Sequence, residues 1–169
     1  MLMNEKIKVA VLVANGFKLD DLIQVQKVMT DMMVGIKIIS VNHGLVNAWD
    51  DTAQGWGHNY PVDKNLNTAL GVDYDVLVIP GGARSTEKLK MTAHTRRFIG
   101  SFMSANKPVA VMGDALEIMN HVEAVEGRQI SEAEEESCVD MNLLTGRVDE
   151  TYFDKMKDLF AQIDLEQAA

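Results

Sequence analysis

Two aspartates and three glycines carry the chemistry open to this sequence: Asp21, Gly81, Gly82, Gly113 and Asp114. Each follows an apolar run. In KPVAVMGDALEIM, Lys107 to Met119, a strand over Pro108 to Met112 runs through Gly113 into a helix expected to begin at Asp114. A strand-to-helix turn that sharp displays a catalytic nucleophile in many α/β enzymes. Here its tip carries Gly and Asp, with neither Ser nor Cys. Glycine has no side-chain atom with which to attack a substrate, yet it adopts the left-handed backbone of such a turn without steric penalty.

Pro80-Gly81-Gly82 ends another apolar run. Its uncluttered N–H groups can approach a ligand as an oxyanion hole does, or the turn simply ends a strand. Asp114 and Glu117 fit a capping box, Asp at the N-cap and Glu at N3; contact with a ligand is the sharper alternative. Asp21 is either solvated and paired with Lys18, three residues earlier on the same helix face, or it shares a pocket with Asp114. In the shared pocket the carboxylates repel and one pKa rises. Such a pocket disfavours anions and suits water or a small polar or cationic molecule.

Other reactive residues read as structural. Cys138 is the only thiol, set between Glu136 and Asp140, whose charges disfavour the thiolate that chemistry needs. Ser85 and Thr86 follow the Gly-Gly turn with no histidine partner evident, and read as helix caps. His43, His58, His94 and His121 match no metal-ligand spacing, so no metal is expected. Ala14-Asn15-Gly16-Phe17 lacks the Ser, Thr or Gly run that cradles a phosphate, so no cofactor is expected either. Glu132 to Glu136 is a solvated charge run, and the eleven methionines read as flexible core packing.

The elements that must position these residues alternate. Ile7 to Val13 is a continuous apolar run, as in a strand buried on both faces. Apolar residues from Phe17 to Met33 then recur near a helical period. Strands follow at Ile36 to Val41 and Asp75 to Ile79, a helix at Thr92 to Ala105, the strand-turn-helix above, a strand near Met141 to Thr145, and an amphipathic helix over Glu150 to Ile163. Strands separated by helices imply βαβ units and a mostly parallel sheet with helices on both faces. His43 to Asn65 has turn residues and no helical period, and reads as an inserted hairpin outside the main sheet. Its Trp49, Trp56, His58 and Tyr60 suit self-association, packing over the sheet edge, or ligand contact.

Composition sets the outer bounds. The 169 residues suit one domain, 1–169. A net charge of −9 argues against nucleic acid and anionic membrane as partners. The apolar runs are strand-length, and MLMNEKIKVAVLV does not read as a signal peptide. A lone cysteine fits a reduced, cytoplasmic setting.

The order KVAVLVANGF…DD, YDVLVIPGG, KPVAVMGDALEIM, VDMNLLTGR and a final helix resembles the ThiJ/PfpI family. That family belongs to the class I glutamine-amidotransferase-like superfamily and includes the parkinsonism-associated deglycase. The resemblance covers about Ile7 to Ile163. It implies a flavodoxin-like three-layer sandwich and a homodimer, to which the inserted hairpin contributes. Family members often carry a reactive cysteine at the elbow followed by His, a Glu from the first helix that hydrogen-bonds it, and amides at the Gly-Gly turn. Activities include amidase or peptidase, glyoxalase or deglycase, chaperone-like and oxidant-sensing roles. Here the cysteine position falls on Gly113, the His on Asp114, the Glu on Asp21, and the Gly-Gly turn survives as Gly81 and Gly82. The resemblance also implies a lost helical segment between Arg128 and Cys138. The expectation is a cysteine-free protein that binds a small ligand, holds other proteins or regulates. The alternatives are a lyase, glyoxalase or amidase using Asp21 and Asp114, and a plain flavodoxin-like binding module.

Overall fold

The computed structural model describes residues 7–168. A seven-stranded sheet forms its centre. In chain order the strands are β1 (Val9–Val13), β2 (Phe17–Lys18), β3 (Ile36–Ser40), β4 (Leu45–Asp50), β5 (Gly55–Pro61), β6 (Lys64–Asn65), β7 (Val76–Ile79), β8 (Val109–Val111), β9 (Cys138–Asp140) and β10 (Leu143–Thr145). The helices are α1 (Leu19–Asp31), α2 (Ala83–Lys90), α3 (Ala93–Ser104), α4 (Leu116–His121) and α5 (Glu150–Ala168). The sheet runs β6-β3-β1-β7-β8-β10-β9. All its pairings are parallel except β10 with β9. This is the α/β sandwich expected from the alternating pattern.

Strand β1 shows why the apolar run is continuous. Its side chains alternate between two cores. Val9, Val11 and Val13 join one with Leu22, Val25 and Met29 of α1 and Tyr152, Met156 and Phe160 of α5. Ala10 and Leu12 join the other with Phe98, Ile99 and Phe102 of α3 and Ile118 and Met119 of α4. Both faces are covered, so no position in the strand tolerates a polar side chain. Phe98 is fully buried and meets Tyr74 and Phe102 edge-on; such a ring truncated to Ala costs about 3–5 kcal/mol.

The segment between β3 and β7 is the expected hairpin. β4 and β5 pair antiparallel with Trp49 opposite Trp56. The two-residue β2 adds to β4 in parallel and makes a second, three-stranded sheet. The last residues of the segment return to the main sheet as β6.

Some boundaries differ from expectation. The helix expected from Asp114 opens as a 3-10 turn, Gly113–Ala115, and becomes α-helical only at Leu116. α2 and β9 were not anticipated from the apolar pattern. α2 buries only Ser85, Thr86 and Leu89, too narrow a stripe to show as a period. Among the described residues no helix is long and apolar enough to cross a membrane.

Candidate functional site

In an open parallel sheet the chain reverses its winding direction at one point, and the crevice beyond the carboxyl ends of the strands there holds ligands. Here that point lies between β1 and β7, with β8 next to β7. The loops after β1, β7, β8 and β10 enclose a cleft of about 450 Å³. All five residues singled out above line it: Asp21, Gly81, Gly82, Gly113 and Asp114. So do Lys18, Trp49, Asp51, Arg84 and Arg147.

Two carboxylates seal the Gly-Gly turn. The Gly81 N–H donates to Asp21 Oδ2 at 2.9 Å, and the Gly82 N–H donates to Asp114 Oδ1 at 2.8 Å. The Lys18 N–H in turn donates to the Gly81 carbonyl at 2.8 Å, tying the start of α1 to the same turn. A Cβ on Gly81 would lie 2.7 Å from Asp114 Oδ1, 3.1 Å from the Met112 carbonyl and 3.2 Å from Asp21 Oδ2. Space therefore favours glycine at Gly81, since a Cβ there would push the Asp114 carboxylate aside. Both amides that an oxyanion would need are spent on the protein's own acids.

Gly113 is a different case. Its φ is +53°, in the left-handed region, and a Cβ built on it would meet nothing within 4 Å. Backbone conformation, not crowding, suits glycine to this turn. The strand beneath is anchored from below. The buried Tyr152 hydroxyl of α5 donates to the carbonyl of Val111, the last residue of β8, at 2.8 Å.

Asp21 is only 4% exposed, although α1 opens at the molecular surface. Burial pushes its carboxyl above the ordinary value of 3.8. The Gly81 amide and Lys18 oppose that rise, while Asp114 and Asp20 add to it. Burial also raises the Tyr152 hydroxyl well above its ordinary value, with the nearby Asp21 charge in support.

Three expectations need correction. Asp21 is not a solvated partner of Lys18: it is buried, and no Lys18 ion pair forms within 4.0 Å among the described residues. Asp114 is not an N-cap, because its oxygen reaches across to the Gly82 amide instead of to its own helix. Ser85 and Thr86 do not cap α2. The Ser85 hydroxyl, wholly buried, accepts the Ala14 N–H at 2.9 Å and ties the loop after β1 to α2. Thr86 Oγ1 is buried without a partner.

The cleft is also less acidic than the pair Asp21 and Asp114 implied, since Lys18, Arg84 and Arg147 line it too. Sequence reasoning passed over Arg84 and Arg147. Both were findable. Arg84 is two residues past the Gly-Gly turn, and Arg147 is two residues past β10, a fourth loop at the carboxyl end. The segment before Cys138, Glu132 to Ser137, builds wall here. Ala133 lines the cleft, and Arg147 clips the segment by donating from its backbone to Glu135 O at 2.8 Å and from its side chain to Glu134 O at 3.3 Å. Cys138 lies outside the cleft on edge strand β9, its sulfur 3.7 Å from Thr145 Oγ1. The described residues hold no group of three or more His, Cys, Asp or Glu suited to a metal.

Comparison with known proteins agrees with this architecture. Over 73 residues, 43% of this chain and 19% of the relative, the chain is 33% identical to Protein DJ-1 homolog D of Arabidopsis thaliana. In three dimensions it resembles a two-domain protein from Anabaena variabilis containing dj-1/thij/pfpi-like and ferritin-like domains, with TM-score 0.81 and 17% identity. That match covers 94% of this chain and 48% of the Anabaena chain. Oxidized DJ-1 of Toxoplasma gondii matches with TM-score 0.74 and 16% identity, over 96% of this chain and 98% of its own. The sequence matches the DJ-1/PfpI family over residues 7–162, nearly its whole length, and the chain belongs to that family.

Proposed function

We propose that this chain is a DJ-1/PfpI protein that binds a small polar ligand non-covalently and does no cysteine chemistry. The carrying observation is the elbow. Gly113 stands at the position where the family resemblance puts a cysteine, with left-handed backbone and open space above it. Gly113 has no side-chain atom with which to attack a substrate. The Gly81 and Gly82 amides support the same reading, because Asp21 and Asp114 already accept them. A developing oxyanion would have to displace a carboxylate.

The test is turnover. Purified protein incubated with methylglyoxal, and separately with a chromogenic ester, is expected to show loss of neither above a buffer control. Turnover abolished by Asp21→Ala would replace this reading with a second one. In that second reading Asp21, its carboxyl raised by burial beside Asp114, works as a general acid in a lyase or glyoxalase. The proposal extends to a homodimer through the hairpin, where Trp56 is 56% exposed. Sedimentation equilibrium of Trp56→Ser checks it: a shift from dimer toward monomer is expected, and an unchanged dimer would place the contact elsewhere.

A further inference from the structure

Among the described residues, four of the five arginines spend their guanidinium N–H groups on protein oxygens. Arg96 donates to the Val122 and His121 carbonyls, and Arg97 to those of Ala69 and Leu66. Arg128 donates to the Asp140 carbonyl, and Arg147 to Asp149 and the Glu134 carbonyl. Arg84 is the exception. It donates to no protein acceptor and joins no ion pair among the described residues.

Arg84 is nonetheless held in place. Its guanidinium carbon lies 4.0 Å from the centroid of Trp49 and 5.8 Å from that of Trp56, and the two indoles meet edge-on at 5.5 Å. Its Cβ rests on Gly16, where any added Cβ would overlap it. Stacking on an indole occupies a face of the guanidinium and leaves its in-plane N–H fork for an acceptor. A planar fork of donors fits a carboxylate.

The floor of the cleft has the opposite polarity. The N–H groups of Gly81 and Gly82 are consumed, so the floor offers no backbone donors there. Both acids line the cleft, and their second oxygens, Oδ1 of Asp21 and Oδ2 of Asp114, receive no hydrogen bond among the described residues. Three cations, Lys18, Arg84 and Arg147, and three acids, Asp21, Asp51 and Asp114, line the cleft. That balance contrasts with the −9 of the whole chain.

Resting on the non-covalent reading above, the geometry points to a ligand class: a small hydroxy- or amino-carboxylate. Its carboxylate docks on Arg84, and its hydroxyl or ammonium donates to Asp21 and Asp114. A cleft of about 450 Å³ falls in the range of small-molecule sites.

Titration calorimetry at fixed ionic strength tests this with four probes: L-serine and L-lactate carry both groups, acetate the carboxylate alone, and ethanolamine the donors alone. Serine or lactate is expected to saturate, with acetate and ethanolamine at least ~tenfold weaker, the scale of one lost charged hydrogen bond. The only tryptophans, Trp49 and Trp56, both flank Arg84, so the same additions shift tryptophan emission. Arg84→Gln, checked for an unchanged melting temperature, weakens serine or lactate by roughly ten- to a hundredfold. Arg96→Gln, remote from the cleft, leaves binding as it was. Saturation by neither two-group probe, equal affinity for acetate, or an unaltered Arg84→Gln affinity would overturn the assignment. Each is separable from failure of the non-covalent reading, which shows as turnover and not as lost binding.

Discussion

Gly81 and Gly113 lie in one cleft and are glycines for unrelated reasons. At Gly81 the surroundings are full: two carboxylate oxygens and a carbonyl stand within 3.2 Å of the place a Cβ would take. At Gly113 the surroundings are empty to 4 Å, and only the backbone angle of +53° favours glycine. One half of the site is closed by interlocking loops. The other half is a turn kept in shape without any group displayed on it. The difference separates what the fold needs from what cysteine chemistry would need, and substitutions at the two positions should diverge accordingly.

The largest expected effect is at the crowded glycine. In Gly81→Ala the new methyl displaces the Asp114 carboxylate from the Gly82 amide or presses on the Met112 carbonyl. Overpacking of that kind costs about 2 kcal/mol, or roughly 4–8 °C of melting temperature at this size. Calorimetry reads it directly. A melting temperature equal to the wild type would mean that the loops yield and that the closed half of the cleft is soft.

Gly113→Cys should be milder and more informative. A side chain in left-handed backbone costs about 1 kcal/mol, and the space above it is free. The added thiol is expected to take up iodoacetamide in the folded protein faster than Cys138, which sits half-buried on β9 against Thr145. Mass spectrometry of alkylated peptides separates the two sites. Preferential labelling of Cys138 would show that the elbow is covered, and the comparison of the two glycines would then lose its open half.

Much of this contrast is visible in the residues themselves, and the exceptions have a common cause. The runs Val9–Val13 and Val76–Ile79 are apolar because both faces are covered, so their strands, the parallel sheet and the cleft at its carboxyl end follow from local pattern. Gly81, Gly82 and Asp21 could be nominated because they follow those strands, and Gly113 and Asp114 because they follow the apolar run of β8. Their bonds could not. Asp114 sits where a capping box predicts a local contact, and a neighbouring loop 32 residues away won its oxygen. Ser85 likewise serves Ala14, 71 residues away. The place of Arg84 after the Gly-Gly turn is legible, but its setting is not: Trp49 stacks on it from another sheet. Long-range pairing decided the site, and periodicity reports only on near neighbours.

The finest distinction sets a carboxylate inside the cleft against one outside it. Asp21 and Asp149 both accept a backbone N–H, from Gly81 at 2.9 Å and Tyr152 at 3.0 Å. In Asp149 that bond, with Arg147 beside it, holds the carboxyl below its ordinary value. In Asp21 burial outweighs the bond and the carboxyl rises. The two therefore act on stability with opposite sign. The folded protein holds the Asp21 proton more tightly than the unfolded chain does, so this contribution is full below pH 3.8 and fades as pH rises through the raised value. The Asp149 contribution is full above pH 3.8 and fades as pH falls through the lowered value. Urea unfolding over a pH series should show Asp21→Asn removing a decline on the alkaline side of 3.8 and gaining stability at neutral pH, since Asn still accepts the Gly81 N–H. Asp149→Asn should change only the acid side, by a small amount, because the Asp149 carboxylate itself is open to solvent. An Asp21→Asn protein with the wild-type pH profile would mean that the buried acid is not strained, and that the Gly81 amide, not burial, governs it.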